Sequence, residues 1–101
     1  MKNICAFTFA ALLLITNSAN ANRELASSNG CMGCHADTKL DGPPWPELAG
    51  KYKKFQGQAD AAQIEGEKLR KGKFFKKVKA HQKLSPATAT ELMQWIIDGA
   101  N

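Results

Sequence analysis

Apolar residues near the C-terminal end of the chain recur with the period of an α-helix. Ala89, Leu92, Met93 and Ile96 fall at positions i, i+3, i+4 and i+7, and Trp95 widens the same apolar stripe. This spacing predicts an amphipathic helix whose apolar face is buried.

Residues with helix-capping chemistry mark where the helices begin. Ser85 precedes Pro86, so Ser85 is predicted as the N-cap and Pro86 as the first helical residue of the C-terminal helix. Asp60 is predicted to cap a helix over residues 61–71, with Gln63 completing a capping box. Each of these caps would satisfy backbone N–H groups in the first turn.

The remaining pattern is also helical. Residues 23–33 are predicted to form a short helix with Leu25 on its core side, and residues 47–55 a second one. Residues 41–46 contain three prolines and predict a loop. Residues 74–83 carry no clear helical signal, and no segment predicts a strand. The expected fold class is all-α.

The N-terminal segment has the features of a secretory signal peptide. Lys2 supplies a positive charge, residues 4–15 are apolar apart from one threonine, and residues 19–21 form a small-x-small cleavage site. The apolar run is too short to span a membrane. We therefore expect residues 1–21 to be a cleaved signal peptide and residues 22–101 to be one exported domain with no membrane span.

The charge and the small size of the chain favour certain classes of partner and bound group. The chain has 14 Lys and Arg against 9 Asp and Glu, a net charge of +5, and many lysines lie between Lys68 and Lys83. This basic cluster is either an ordinary solvated surface or a docking face for an acidic protein partner, and nucleic acid is not expected as the partner of an exported chain. A domain this small often needs a bound group to complete its core.

The run Cys31-Met32-Gly33-Cys34-His35 has the spacing C-x-x-C-H of covalent haem attachment. Two thiols on one turn reach the two haem vinyl groups, and the adjacent His35 lies under the iron. A thioredoxin-like redox pair would need alternating strands and helices. A structural zinc site would need four ligands, and His81 is far from Cys31 in sequence.

With these residues in place, the chain resembles the short bacterial class I cytochromes c over nearly all of residues 22–101. The resemblance rests on five segments in the right order: 31–35, 42–43, 48–52, 64–72 and 84–96. It implies that Cys31 and Cys34 form the thioethers to one haem c and that His35 is the proximal iron ligand. It also implies that the carbonyl of Pro43 accepts a hydrogen bond from His35, and that the first and last helices cross near the haem.

The chain departs from the family pattern at the second iron ligand. The family places a methionine shortly before the last helix, where this chain has residues 74–83 and no methionine. Met32 lies between the haem cysteines and should point away from the iron, and Met93 belongs to the apolar stripe. Neither is expected to bind the iron.

Three arrangements remain open at this position. His81 can bind the iron, since neutral imidazole is available near pH 7. A lysine can bind at a cost of about 4.6 kcal/mol for deprotonation. Alternatively, the site is open. The candidate lysines are Lys76, Lys77, Lys79 and Lys83, and the side chains that would face an open site are Phe74, Phe75 and Val78.

The expected function is one-electron transfer between periplasmic redox partner proteins, with no substrate site and hence no enzymatic activity. The alternative is a haem protein that binds NO, CO or O2 at an open or weakly ligated site, because distal access decides between these functions.

Overall fold

The computed structural model describes residues 18–72 and 77–101, and within these ranges all regular structure is helical. The five α-helices are α1 (Ser18–Ser28), α2 (Trp45–Tyr52), α3 (Ala61–Lys71), α4 (Lys79–Gln82) and α5 (Pro86–Ile97). Two short 3₁₀ turns cover Cys31–Gly33 and Lys53–Phe55. The all-α prediction is confirmed. Phe74, Phe75, Lys76 and most of the predicted signal peptide lie outside the described residues.

Helix α1 ends five residues before the predicted boundary at Gly33. The Asn29 side chain donates to the carbonyl of Leu25 at 2.8 Å, which satisfies a carbonyl of the last turn. Gly30 then adopts a φ of +77°, a left-handed conformation that glycine tolerates best. The chain therefore leaves the helix before Cys31, and a separate 3₁₀ turn begins at Cys31 and is followed by Cys34 as its C-cap.

Helix α2 begins at Trp45, two residues before the predicted start at Glu47. Pro46 lies in its first turn, where a missing N–H costs nothing. The predicted continuation to Phe55 is a 3₁₀ turn rather than α-helix. Tyr52 is buried and Leu48, one turn earlier, is partly buried against the core, so these two residues form the core side of α2.

The two predicted helix caps have different outcomes. Ser85 is extended, with φ −68° and ψ 158°, and its hydroxyl accepts from the N–H of Thr88 at 3.1 Å. Asp60 occupies the N-cap position of α3, but its backbone is helical, with φ −96° and ψ −5°, and its side chain caps nothing. The capping-box prediction is wrong because an N-cap residue needs an extended backbone to direct its side chain at the first turn.

The core lies between α3 and α5. Gly66 of α3 faces the backbone of α5 so closely that a Cβ there would be 3.1 Å from the carbonyl carbon of Ala89. Helix α1 also packs against α5, and Ala26 is fully buried. The predicted stripe on α5 is buried throughout, at Ala89, Leu92, Met93, Trp95 and Ile96.

Helix α4 is one turn long and was not predicted. Its C-terminal end is tied to α3, because the Arg70 Nε atom donates to the carbonyl of Leu84 at 2.7 Å. Leu84 itself is buried, whereas Lys79, Ala80 and Gln82 are exposed. This arrangement places His81 on a short exposed segment with a fixed end.

Candidate functional site

The loop after α1 and helices α2 to α5 surround a largely apolar cleft of about 200 Å³. Leu48, Leu69, Leu92 and Ile96 contribute apolar lining. Cys31, Pro43 and two imidazoles, those of His35 and His81, also line it. A mostly apolar cleft with a few convergent polar groups is the usual form of a cofactor site.

Cys31 lines this cleft from the 3₁₀ turn, whereas Cys34, the C-cap residue of that turn, is exposed and does not line the cleft. The N–H groups of Cys34 and His35 donate to the carbonyl of Cys31, at 3.2 and 2.9 Å, which keeps the motif compact. Burial raises the pKa of the Cys31 thiol, and Cys34 adds to the rise against an opposing backbone hydrogen bond. This is the opposite of the lowered pKa that a redox-active thiol requires.

His35 is held by the loop that follows it. Its Nδ1 atom lies 2.7 Å from the carbonyl oxygen of Pro43. Because a carbonyl only accepts, this contact assigns the ring proton to Nδ1 and leaves the lone pair on Nε2. Gly42 packs against the same ring, since a Cβ on it would be 2.6 Å from the His35 Cε1 atom. The sequence analysis did not identify this steric role of Gly42.

Two tryptophans extend the cleft wall into the core. The Trp45 ring lies 5.0 Å from that of His35 and 4.9 Å from that of Trp95, measured between centroids. The Trp45 Nε1 atom is buried and has no hydrogen-bond partner within the described residues. A buried donor without a partner is unusual and fits a site that a further group completes.

His81 approaches the cleft from α4. Its ring centroid is 6.4 Å from that of His35, and the two ring planes are within 19° of parallel. The His81 side chain is partly buried. Burial, and next the charge of His35, lower the pKa of its imidazole. The neutral form, which binds metals, is therefore favoured at neutral pH.

Comparison with known proteins gives relatives of one kind. Cytochrome c-552 of Hydrogenobacter thermophilus is 32% identical over 95 residues, which cover 90% of this chain and 94% of the relative. The chain belongs to the class I monohaem cytochrome c family. Cytochrome c-552 of Nitrosomonas europaea is 43% identical over 54 residues, about half of each chain. No protein-family model and no solved structure matches the chain.

A third relative of this cytochrome family agrees with the assignment. Cytochrome c2 of Rubrivivax gelatinosus is 48% identical over 50 residues, which cover 48% of this chain and 55% of the relative. Membership of the family confirms the cytochrome c fold. It also establishes the cofactor of this protein as one covalently attached haem c with its iron.

The cleft of this cytochrome fits haem c. It offers the thiol of Cys31, an imidazole with a free Nε2 atom, and apolar walls for the macrocycle, and the exposed thiol of Cys34 follows three residues after Cys31. The described residues contain no group of three or more His, Cys, Asp or Glu side chains that could hold a bare metal ion. These donors therefore suit a haem iron better than the zinc site considered from the sequence.

Other side chains considered from the sequence occupy different positions. Lys79 and Lys83 are exposed and do not line the cleft, and Val78 is 37% exposed. Met93 lines the cleft but is 2% exposed and packed in the core. Met32 is partly buried against the core.

Proposed function

We propose that residues 22–101 form an electron carrier of the periplasm in which Cys31 and Cys34 bind haem c covalently and His35 binds its iron. The observation that carries this proposal is the position of His35 in the cleft, with Nδ1 on the Pro43 carbonyl. That contact points the free nitrogen lone pair away from the loop. The motif, the cleft and the family assignment all support the same cofactor.

Haem c supplies the redox chemistry, because its iron gains and loses one electron. The protein's residues do the rest. The thioethers from Cys31 and Cys34 fix the macrocycle to the chain, and the Pro43 carbonyl orients His35 and increases its basicity. The apolar walls from Leu48, Leu92 and their neighbours exclude water and so influence the potential.

A basic surface beside His81 supports docking to an acidic redox partner. In the cluster between Lys68 and Lys83, Lys68 pairs with Glu65, and Arg70 and Lys71 pair with Glu67. Among the described residues, no ion pair is found for Lys77, Lys79 or Lys83. We call these three residues the lysine face; they lie within four residues of His81, which lines the cleft.

The proposed location follows from the N-terminal sequence. We propose that residues 1–21 direct export and are removed, so that α1 starts at Asn22 in the mature protein. The described helices include none that is long and apolar enough to cross a membrane. Fractionation of cells that make the full chain, with the N-terminal residue of the mature protein determined, tests both statements.

The experiment for cofactor attachment uses holoprotein made in cells that attach haem to exported proteins. We expect haem to remain with the polypeptide after denaturation, and to be lost in a variant with both Cys31→Ala and Cys34→Ala. Met32→Leu is the matched control within the motif and should retain haem. Full haem content in the double-cysteine variant would overturn the assignment of the two thiols.

The experiment for function measures electron exchange. We expect reversible one-electron oxidation and reduction of the purified holoprotein, and no spectral change on adding CO to the reduced form. A spectrum that shifts with CO would instead favour the gas-binding alternative, since an exogenous ligand needs an accessible iron.

A further inference from the structure

We propose that His81 is the second axial ligand of the iron, so that haem c in this protein is bound by two imidazoles. This inference rests on the proposed haem function and assigns the position at which the chain lacks the family's methionine. His35 and His81 come from different elements, the loop after α1 and helix α4, yet both line the same cleft.

The separation of the two rings matches one metal ion between them. Their centroids are 6.4 Å apart. A metal–nitrogen bond is about 2.0 Å, and a ring nitrogen lies roughly 1.15 Å from its centroid, so two imidazoles on opposite sides of one ion have centroids about 6.3 Å apart. Parallel rings in face-to-face van der Waals contact would be only about 3.5–4.0 Å apart.

The orientation of the two rings agrees with this assignment. Their planes are within 19° of parallel, which allows both imidazoles to stand on one axis through the iron. On His35, the Pro43 carbonyl occupies Nδ1, so Nε2 is the nitrogen that can bind. Within the described residues, neither ring belongs to a group of three or more His, Cys, Asp or Glu side chains that could hold a metal ion.

The competing ligands are less suitable. Lys79 and Lys83 point to solvent outside the cleft, and a lysine would also have to lose its proton. Met93 lines the cleft but belongs to the buried face of α5, where it packs with the core. Apolar packing explains the position of the Met93 side chain. It does not explain why the polar imidazole of His81 lines the cleft.

Arg70 is a positioning residue for His81. Its Nε atom donates to the Leu84 carbonyl at 2.7 Å, and Glu67 accepts from its Nη1 atom at 2.8 Å. The Leu84 N–H in turn donates to the carbonyl of His81 at 3.3 Å. Helix α3 thereby fixes the C-terminal end of the segment that carries the ligand, and lysine in place of Arg70 would lose the Nε donor.

Two imidazole ligands change the properties of the haem. The iron becomes six-coordinate and low-spin, and gases find no open position. An axial methionine raises the potential of a cytochrome c, so its replacement by imidazole lowers it. The chain is therefore a low-potential member of its family.

The test is the absorption and electron paramagnetic resonance spectra of holoprotein. We expect a low-spin ferric signal of two parallel imidazoles and no charge-transfer band of methionine ligation. His81→Ala should become high-spin and bind CO, and added imidazole should restore the low-spin spectrum. Met93→Leu removes the competing thioether from the cleft and should still give a low-spin spectrum, while Arg70→Lys should show a mixture of spin states.

Three outcomes overturn the His81 assignment, and a fourth overturns the proposed function. A low-spin spectrum that persists in His81→Ala overturns the His81 assignment, as does a high-spin spectrum in Met93→Leu or in the wild-type protein. If the wild-type chain carries no covalent haem, the proposed function fails instead. If His81→Ala does not fold, the methionine band and the resonance signal of the wild-type protein decide the ligand pair.

Discussion

Gly42 and His35 are in such close contact that the glycine cannot carry a side chain without moving the imidazole. A Cβ on Gly42 would lie 2.6 Å from the His35 Cε1 atom, 2.8 Å from its Nδ1 atom and 2.9 Å from the Cys34 carbonyl oxygen. The Gly42 N–H also donates to that carbonyl at 2.7 Å. The loop backbone thus forms one wall of the seat for the proximal ligand.

We expect Gly42→Ala to displace His35 from Pro43 and to destabilise the holoprotein by about 1–3 kcal/mol, the usual cost of overpacking. Denaturant unfolding of the holoprotein measures the free energy, and the visible spectrum reports the ligand. Gly50→Ala is the control, because nothing lies within 4 Å of a Cβ at this helical position. That variant should be as stable as wild type or more stable by about 0.5–1 kcal/mol. Equal effects of the two variants would contradict the steric role of Gly42.

Ser85 and Asp60 provide a matched pair for helix capping. Ser85→Ala removes the acceptor of the Thr88 N–H and should cost about 1 kcal/mol of unfolding free energy. Asp60→Ala should have little effect, because the Asp60 side chain makes no cap hydrogen bond. Chemical denaturation of both variants checks the difference. A larger loss from Asp60→Ala would show that its side chain caps α3 after all.

The only tyrosine of the chain, Tyr52, should titrate at unusually high pH. Burial, and next the charge of Glu65, raise its pKa above the ordinary value of 10.0. The unfolded chain therefore loses the phenol proton first, so the contribution to stability is complete below pH 10 and is lost as the pH rises through the folded pKa. The ultraviolet absorbance of tyrosinate measures the midpoint in native and denatured protein. A native midpoint at or below the denatured one would contradict the direction of the shift.

The lysine face should make electron transfer depend on salt. Its charges attract an acidic partner, and screening at physiological salt acts over about 8 Å. With a negatively charged redox protein as partner, we expect the second-order rate constant of electron transfer to fall as salt rises. At low salt, we expect the rate constant of Lys79→Gln to be lower than that of the wild-type protein. Lys39→Gln, which removes the same charge from the loop between Cys34 and α2, is the control. Stopped-flow kinetics at several salt concentrations give the rates, and a flat salt dependence would exclude electrostatic docking by this surface.

Local sequence signals predicted the parts of the fold that depend on local chemistry. The α5 stripe and the Ser85 cap are properties of residues within one or two turns of each other, and both are present. Asp60 has the right side chain but a helical backbone, which the sequence does not display. Helix α4 is too short for any periodicity to emerge, so the segment around His81 had no predicted structure.

In the site, too, some features can be predicted from the sequence and others only from the structure. The cysteine–histidine motif is visible in five consecutive letters, and family resemblance supplied the partner of His35. Other features of the site depend on the folded backbone and join residues that are not neighbours in sequence. They are the contact of Gly42 with His35, the hydrogen bond from Arg70 to Leu84, and the spacing of His35 from His81. Only three-dimensional structure could show that the two imidazole rings line one cleft with their centroids 6.4 Å apart.

His35 and His81 are far apart along the chain, so an iron bound to both would also cross-link the fold. If both imidazoles bind it, the metal closes a loop from residue 35 to residue 81 that spans α2, α3 and α4. A cross-link of that length restricts the unfolded chain by roughly 4 kcal/mol in the chain-entropy description. Unlike a disulfide, this cross-link would open on loss of the single bond between His81 and the iron. The haem would thus act as a reversible clasp, and the stability of the whole domain would report the state of one coordination bond.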